Sequence, residues 1–292
     1  MKRYPAHAGT FYPASPVELR KAIESSFLHP LGPGSLPPEP GEYSGGVIGV
    51  VSPHAGYIYS GHVAAHGYFR LAQAGAPDVV FLLGPNHYGF GAPLAVDENE
   101  YWVTPLGEVR VDTGLAEEMV ARERLLSFDF AAHKFEHSIE VQLPFLQYVF
   151  GDGFTIVPIS MMLQTPEAAA RVGGVIADLI AERGLKAYVV ASSDMSHYVD
   201  ARIAREKDMR AIERILALDV EGLYGVVIEE DVSMCGVGPV MTLMEVARRL
   251  GYTAPRLLKY ANSGDVTGDY RQVVAYASIS FEAAGGAEGG SG

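Results

Sequence analysis

Val47-Ile48-Gly49-Val50-Val51-Ser52-Pro53-His54 and Val79-Val80-Phe81-Leu82-Leu83-Gly84-Pro85-Asn86-His87 follow one pattern: a short apolar run, a proline, then a histidine. β-Branched enrichment and Gly/Pro punctuation read each run as a buried strand rather than a buried helix. Phe154 to Ile159 and Ala187 to Ala191 repeat the form. Helical spacing fills the intervals at Ser60 to Ala74, Gly114 to Glu123, His137 to Val149 and Pro166 to Arg183. Strand–helix alternation predicts an α/β single domain, a central β-sheet flanked by helices on both faces. Ligands of such sheets bind beyond the C-terminal ends of the strands. His54 and His87 therefore stand where a site belongs, at the ends of strands expected to be neighbours.

Further along, Ile203 to Leu218 and Pro239 to Leu250 read as amphipathic helices and Gln272 to Phe281 as a strand. Gly32 to Gly46 reads as a surface loop. One domain over 1–282 is expected, with 283–292 a disordered Gly-rich tail. The chain is 48% hydrophobic and 20% charged, enough to build and cover a core. A formal charge of −13 argues against nucleic acid or an anionic membrane as partner. No run approaches the roughly 18 apolar residues of a membrane span. The single cysteine excludes an intrachain disulfide framework and suits a reducing cytoplasm.

That cysteine, Cys235, stands before Gly236 and near Pro239, where a helix is expected to begin. Oriented N–H groups at a helix start favour a thiolate; the competing reading is a small, inert, buried side chain. Two imidazoles and a thiolate, His54, His87 and Cys235, suit iron, copper or zinc. A third strand-end stretch, Ser192-Ser193-Asp194-Met195-Ser196-His197, offers Asp194 and His197 as an acid/base pair, or a turn capped by Asp194. His137 and Glu140 open an expected helix on one face, to orient a ligand or to cap. Tyr57, with the Gly9-to-Pro13 stretch, is a candidate pocket lining, or core packing. His62 and His66 have the spacing of a local metal pair but no adjacent third ligand.

Taken in order, His7-Ala8-Gly9-Thr10-Phe11-Tyr12, Pro53-His54-Ala55-Gly56-Tyr57, Gly84-Pro85-Asn86-His87, Glu136-His137-Ser138-Ile139-Glu140, Ser192 to His197, Cys235-Gly236 and Tyr260 to Asp265 resemble the Memo family. Its prokaryotic members are called AmmeMemoRadiSam system protein B. The resemblance covers nearly the whole chain and implies a fold similar to class III extradiol dioxygenases, which are non-haem iron enzymes. It implies metal ligands at His54, His87 and Cys235, iron first, with copper or zinc as alternatives. It also implies His197 as acid/base with Asp194 beside it; His137 and Tyr57, from the reading of the residues themselves, are the candidates for contact with substrate. Cys235 departs from the third-ligand carboxylate of the dioxygenases, which puts ring cleavage in doubt. The expected function is a metal-dependent redox protein acting on a small molecule. A zinc hydrolase and a peptide- or anion-binding module are the competing classes. The family name further implies radical-SAM and AMMECR-type partners.

Overall fold

The computed structural model describes residues 1–285. In chain order the elements are β1 (Lys2–Arg3), α1 (Pro16–Leu28), β2 (Val47–Ser52), α2 (Tyr57–Ala74), β3 (Val79–Pro85), β4 (Leu94–Val96), β5 (Tyr101–Thr104) and β6 (Gly107–Val111). Then come α3 (Thr113–Arg122), β7 (Ser127–Phe128), α4 (Ala131–Lys134), a 3-10 turn (Glu140–Gln142), α5 (Leu143–Phe150), β8 (Thr155–Met161), α6 (Pro166–Arg183) and β9 (Ala187–Ser192). The described part closes with β10 (His197–Val199), α7 (Ala201–Leu216), α8 (Val220–Glu229), α9 (Val237–Leu250), β11 (Ala254–Asn262), α10 (Gly264–Thr267) and β12 (Val273–Glu282).

The sheet runs β1-β5-β6-β8-β3-β9-β2-β12-β10, and β11 lies antiparallel on β12. At its centre β8, β3, β9 and β2 are parallel, as expected of strands buried on both faces. β3 shows why its sequence is continuously apolar. Val79, Phe81 and Leu83 enter the core under α6 and α9, while Val80 and Leu82 enter the core under α1, α2 and α5. The helices obey their local signals too. Thr165 caps α6 by accepting from Ala168 N at 3.2 Å, Pro166 occupies the first turn, and Gly184 ends the helix in the left-handed region.

Two expectations need correction. His54 and His87 do not follow neighbouring strands: β2 and β3 both pair with β9, which lies between them. The helix read from His137 to Val149 is also broken. Residues 137–139 form a turn, the 3-10 turn follows, and α5 starts only at Leu143. Pro144 falls in the first turn of α5, where its missing N–H leaves no bond unmade; deeper in a helix it would break one. From residue 286 on, the expected tail lies outside the described residues. Among the described residues no helix is long and apolar enough to cross a membrane.

Candidate metal centre

The C-terminal ends of β2, β9 and β3 deliver Ser52-Pro53-His54, Ser192-Ser193-Asp194 and Pro85-Asn86-His87 to one edge of the sheet. The loop before α9 brings Cys235 to the same place. Gly236 makes that approach possible, because a Cβ there would collide with the Ser192 carbonyl oxygen and lie 2.7 Å from the Ser193 Cβ. Gly84 plays the same part beside His87; a Cβ would stand 2.5 Å from Ser138 Oγ. Potential ligand atoms of His54, His87 and Cys235 all lie within 4.8 Å of one another. Asp194, His197 and Cys235 form a second such group, and His87, Glu136 and His137 a third. These overlapping groups make one continuous centre.

The tautomers can be read from the hydrogen bonds. Ser192 Oγ donates to the Ser138 carbonyl at 2.8 Å, so its contact with His54 Nδ1 at 2.7 Å must be accepted from the ring. His54 Nε2 is then left with its lone pair, 3.1 Å from Cys235 Sγ. His87 works alike: Nδ1 donates to Glu136 at 2.6 Å, and Nε2 is left with its lone pair. Glu136 also accepts from the His87 backbone N at 2.6 Å and from Ser138 N at 3.1 Å. Carboxylate and hydroxyl partners of this kind fix ligand imidazoles in ring orientation.

The electrostatics of the centre favour neutral rings at His54 and His137. Burial holds His54 well below the usual histidine range, and neighbouring His87 adds to this. Burial and the same neighbours pull His137 down to about 3. For Glu136 burial pushes upward, but the hydrogen bonds and charge of His87 outweigh it and hold the carboxyl down to about 2. The Cys235 thiol is pushed up by burial and by the Asp194 carboxylate, against the helix-start expectation of an easily formed thiolate. The residue is half-buried, and desolvation there exceeds what the start of α9 supplies.

His137 stacks on His87 at 4.5 Å between ring centroids and on Phe11 at 4.4 Å, so it walls the centre. Asp194 does not hold His197. Its Oδ1 accepts from the His54 backbone N at 2.8 Å, while His197 Nδ1 donates to the Ser233 carbonyl at 2.7 Å. Tyr57 is a core residue, 6% exposed, whose hydroxyl donates to the Val141 carbonyl at 2.6 Å. Glu140 does not face the centre; it binds Arg3, Tyr12 and the Ala6 and His7 amides. Sequence reading missed Glu136 and Ser192 as the groups that orient His87 and His54. Glu136 sits directly before His137, and a carboxylate next to a site histidine is the one signal that pointed to it.

Residues 3–280 match the family model described as Memo-like protein. The chain is similar to a MEMO1 family protein of Methanopyrus kandleri, 49% identical over 281 residues that cover 96% of this chain and 99% of that protein. It is also similar to a MEMO1 family protein of Sulfolobus acidocaldarius, 48% identical over 285 residues covering 96% and 99%. Among solved structures, an uncharacterized protein of Escherichia coli K12 matches with a TM-score of 0.55 and 13% identity, over 80% of this chain and 99% of that one. That last likeness is one of fold alone.

Proposed function

The chain belongs to the Memo family, and on that premise we propose that it is a metal-dependent redox protein whose metal is held by His54, His87 and Cys235. The observation that carries this reading is the convergence of the three side chains, with His54 Nε2 3.1 Å from Cys235 Sγ. The donor set fits a metal. His54 is kept neutral by burial, both imidazoles are turned to offer Nε2, and a thiol pushed up by burial needs a bound cation to become a thiolate. Two nitrogens and a sulfur suit iron first, with copper or zinc as alternatives. A bound metal would supply Lewis acidity at its open positions and, if iron or copper, a one-electron couple.

The chain's own residues do the rest. His197, with Nδ1–H fixed on the Ser233 carbonyl, keeps Nε2 free to take a proton from a small-molecule substrate and return it. Asp194 supports His54 through its backbone and lies beside Cys235 and His197. His137, stacked on both His87 and Phe11, covers one side of the His87 ring. A reducing cytoplasm would keep the lone thiol available, and radical-SAM or AMMECR-type partners are proposed on family likeness only.

The test is metal analysis of protein purified without chelator or affinity metal, with oxygen uptake measured on the same samples. About one equivalent of iron or copper with substrate-dependent uptake supports the redox reading. One equivalent of zinc with no redox response transfers the proposal to hydrolysis. His197→Ala is expected to keep the metal and lose turnover, and unchanged turnover would remove His197 from the mechanism.

A further inference from the structure

We infer that a cleft beside the metal centre is a second binding site, one that takes an uncharged aromatic small molecule bearing a hydrogen-bonding group. The cleft has a volume of about 550 Å³, within the range of small-molecule sites. It opens between the Gly9–Pro13 turn, α1 and the first turns of α2, and among its lining residues are Phe11, Ala22, Ser25, Tyr59, His62 and Val266. These are features of the sequence that the metal centre leaves unused: the aromatic Gly9–Pro13 stretch and the first histidine of the His62/His66 pair.

Three observations define the ligand. Among the described residues no Asp, Glu, Lys or Arg lines the cleft, although the chain carries a net charge of −13. An ion would find no counter-charge among the lining side chains. Phe11 and Tyr59 line the cleft with rings, which favour a flat partner. The lining also includes His62, 1% exposed and stacked on His29 at 4.4 Å, whose Nε2 has no hydrogen-bond partner among the described residues. A buried polar atom left unpaired is costly. One turn further along α2, His66 is satisfied by the Leu31 carbonyl at 2.9 Å, so of this pair it is His62 that lacks a partner among the described residues. Burial and neighbouring His29 pull His62 down to about 4, so near neutral pH it is an uncharged donor–acceptor. Phe11, stacked on His137 at 4.4 Å, is the wall shared with the metal centre.

The probe is N-phenyl-1-naphthylamine, which is uncharged, aromatic and carries one N–H, followed by its fluorescence on titration into the full chain. One saturable equivalent is expected. Ser25 is exposed, so Ser25→Trp plugs the cleft without entering the core; it should weaken binding by at least about tenfold with an unchanged melting temperature. His62→Phe keeps the stack and removes the nitrogens, and should weaken binding several-fold, up to about tenfold for one hydrogen bond. Metal-free protein and His87→Ala should bind the probe as the parent does, which separates this site from the metal reading. Absence of saturable binding, full binding by Ser25→Trp, or loss of binding in His87→Ala alone would each overturn the proposal. Should His62→Phe not fold, Ser25→Trp decides the matter.

Discussion

Glu136 and Glu140 lie in one short turn and are both buried, at 3% and 0% exposure, yet they serve different regions of the molecule. Glu140 meets partners that never change: the Arg3 guanidinium, the Tyr12 hydroxyl at 2.7 Å, and the Ala6 and His7 amides at 2.7 and 2.9 Å. It ties the N-terminal segment to the sheet edge. Glu136 meets His87, a side chain whose other nitrogen is free for a ligand. The same residue type is a structural anchor where its charge is permanently matched. It is a tuning group where its partner retains an unused valence. The comparison yields different signatures for substitution: stability without metal affinity on one side, metal affinity with a smaller loss of stability on the other.

The largest effect is expected at the anchor. Glu140→Ala leaves Arg3 buried without its partner and should cost about 3–5 kcal/mol, read from urea unfolding, while the folded fraction still takes up metal. Arg3→Met combined with Glu140→Leu should recover much of that loss, since replacing both members of a buried pair removes the stranded charge. At the tuning group, Glu136→Gln should weaken metal binding about 10- to 100-fold in a chelator competition and cost less stability than Glu140→Ala, because the amide oxygen can still accept from the His87 and Ser138 amides. If Glu136→Gln proved the more destabilising of the two, the division of labour drawn here would be reversed.

Acid should also separate the regions. His137 is pulled down from its ordinary 6.5 to about 3 in the folded chain, so between those values the unfolded state binds more protons. Its contribution is therefore present above pH 6.5 and lost as pH falls toward 3. Glu136, held down to about 2 from 4.5, contributes above pH 4.5 and loses that contribution as pH falls through 2. Metal-free protein should thus begin to lose stability below about pH 6.5, before its carboxylates titrate. In His137→Phe, which keeps the stack on His87, that early slope should be shallower in urea titrations at stepped pH. The smallest effect is expected at Tyr57. Tyr57→Phe orphans the Val141 carbonyl and should cost about 1 kcal/mol with metal affinity unchanged; a large loss of metal would return Tyr57 to the centre.

The central strands were legible because burial on both faces demands continuous apolar runs, as at Val79 to Leu83. Helix α6 was legible because Thr165, Pro166 and Gly184 mark its ends. The β5–β6 hairpin was not. Tyr101–Thr104 and Gly107–Val111 are short, and their exposed positions break the apolar pattern. Strand β11 escaped for the same reason, being only half-buried along most of its length. Strand order is a non-local property, which is why β9 between His54 and His87 could not be read. Strand-end position marked His54 and His87, whereas Ser192 and Glu136 act through contacts 138 and 49 residues away in sequence. No local spacing encodes such contacts.

The central claim is that two imidazoles and one thiolate share a metal, and zinc-edge X-ray absorption on the zinc-loaded chain tests it most directly. Two imidazole nitrogens at about 2.0–2.1 Å and one sulfur at about 2.3 Å are expected, with the sulfur shell vanishing in Cys235→Ser and one imidazole lost in His87→Ala. A shell of nitrogen and oxygen alone, unchanged by Cys235→Ser, would contradict it.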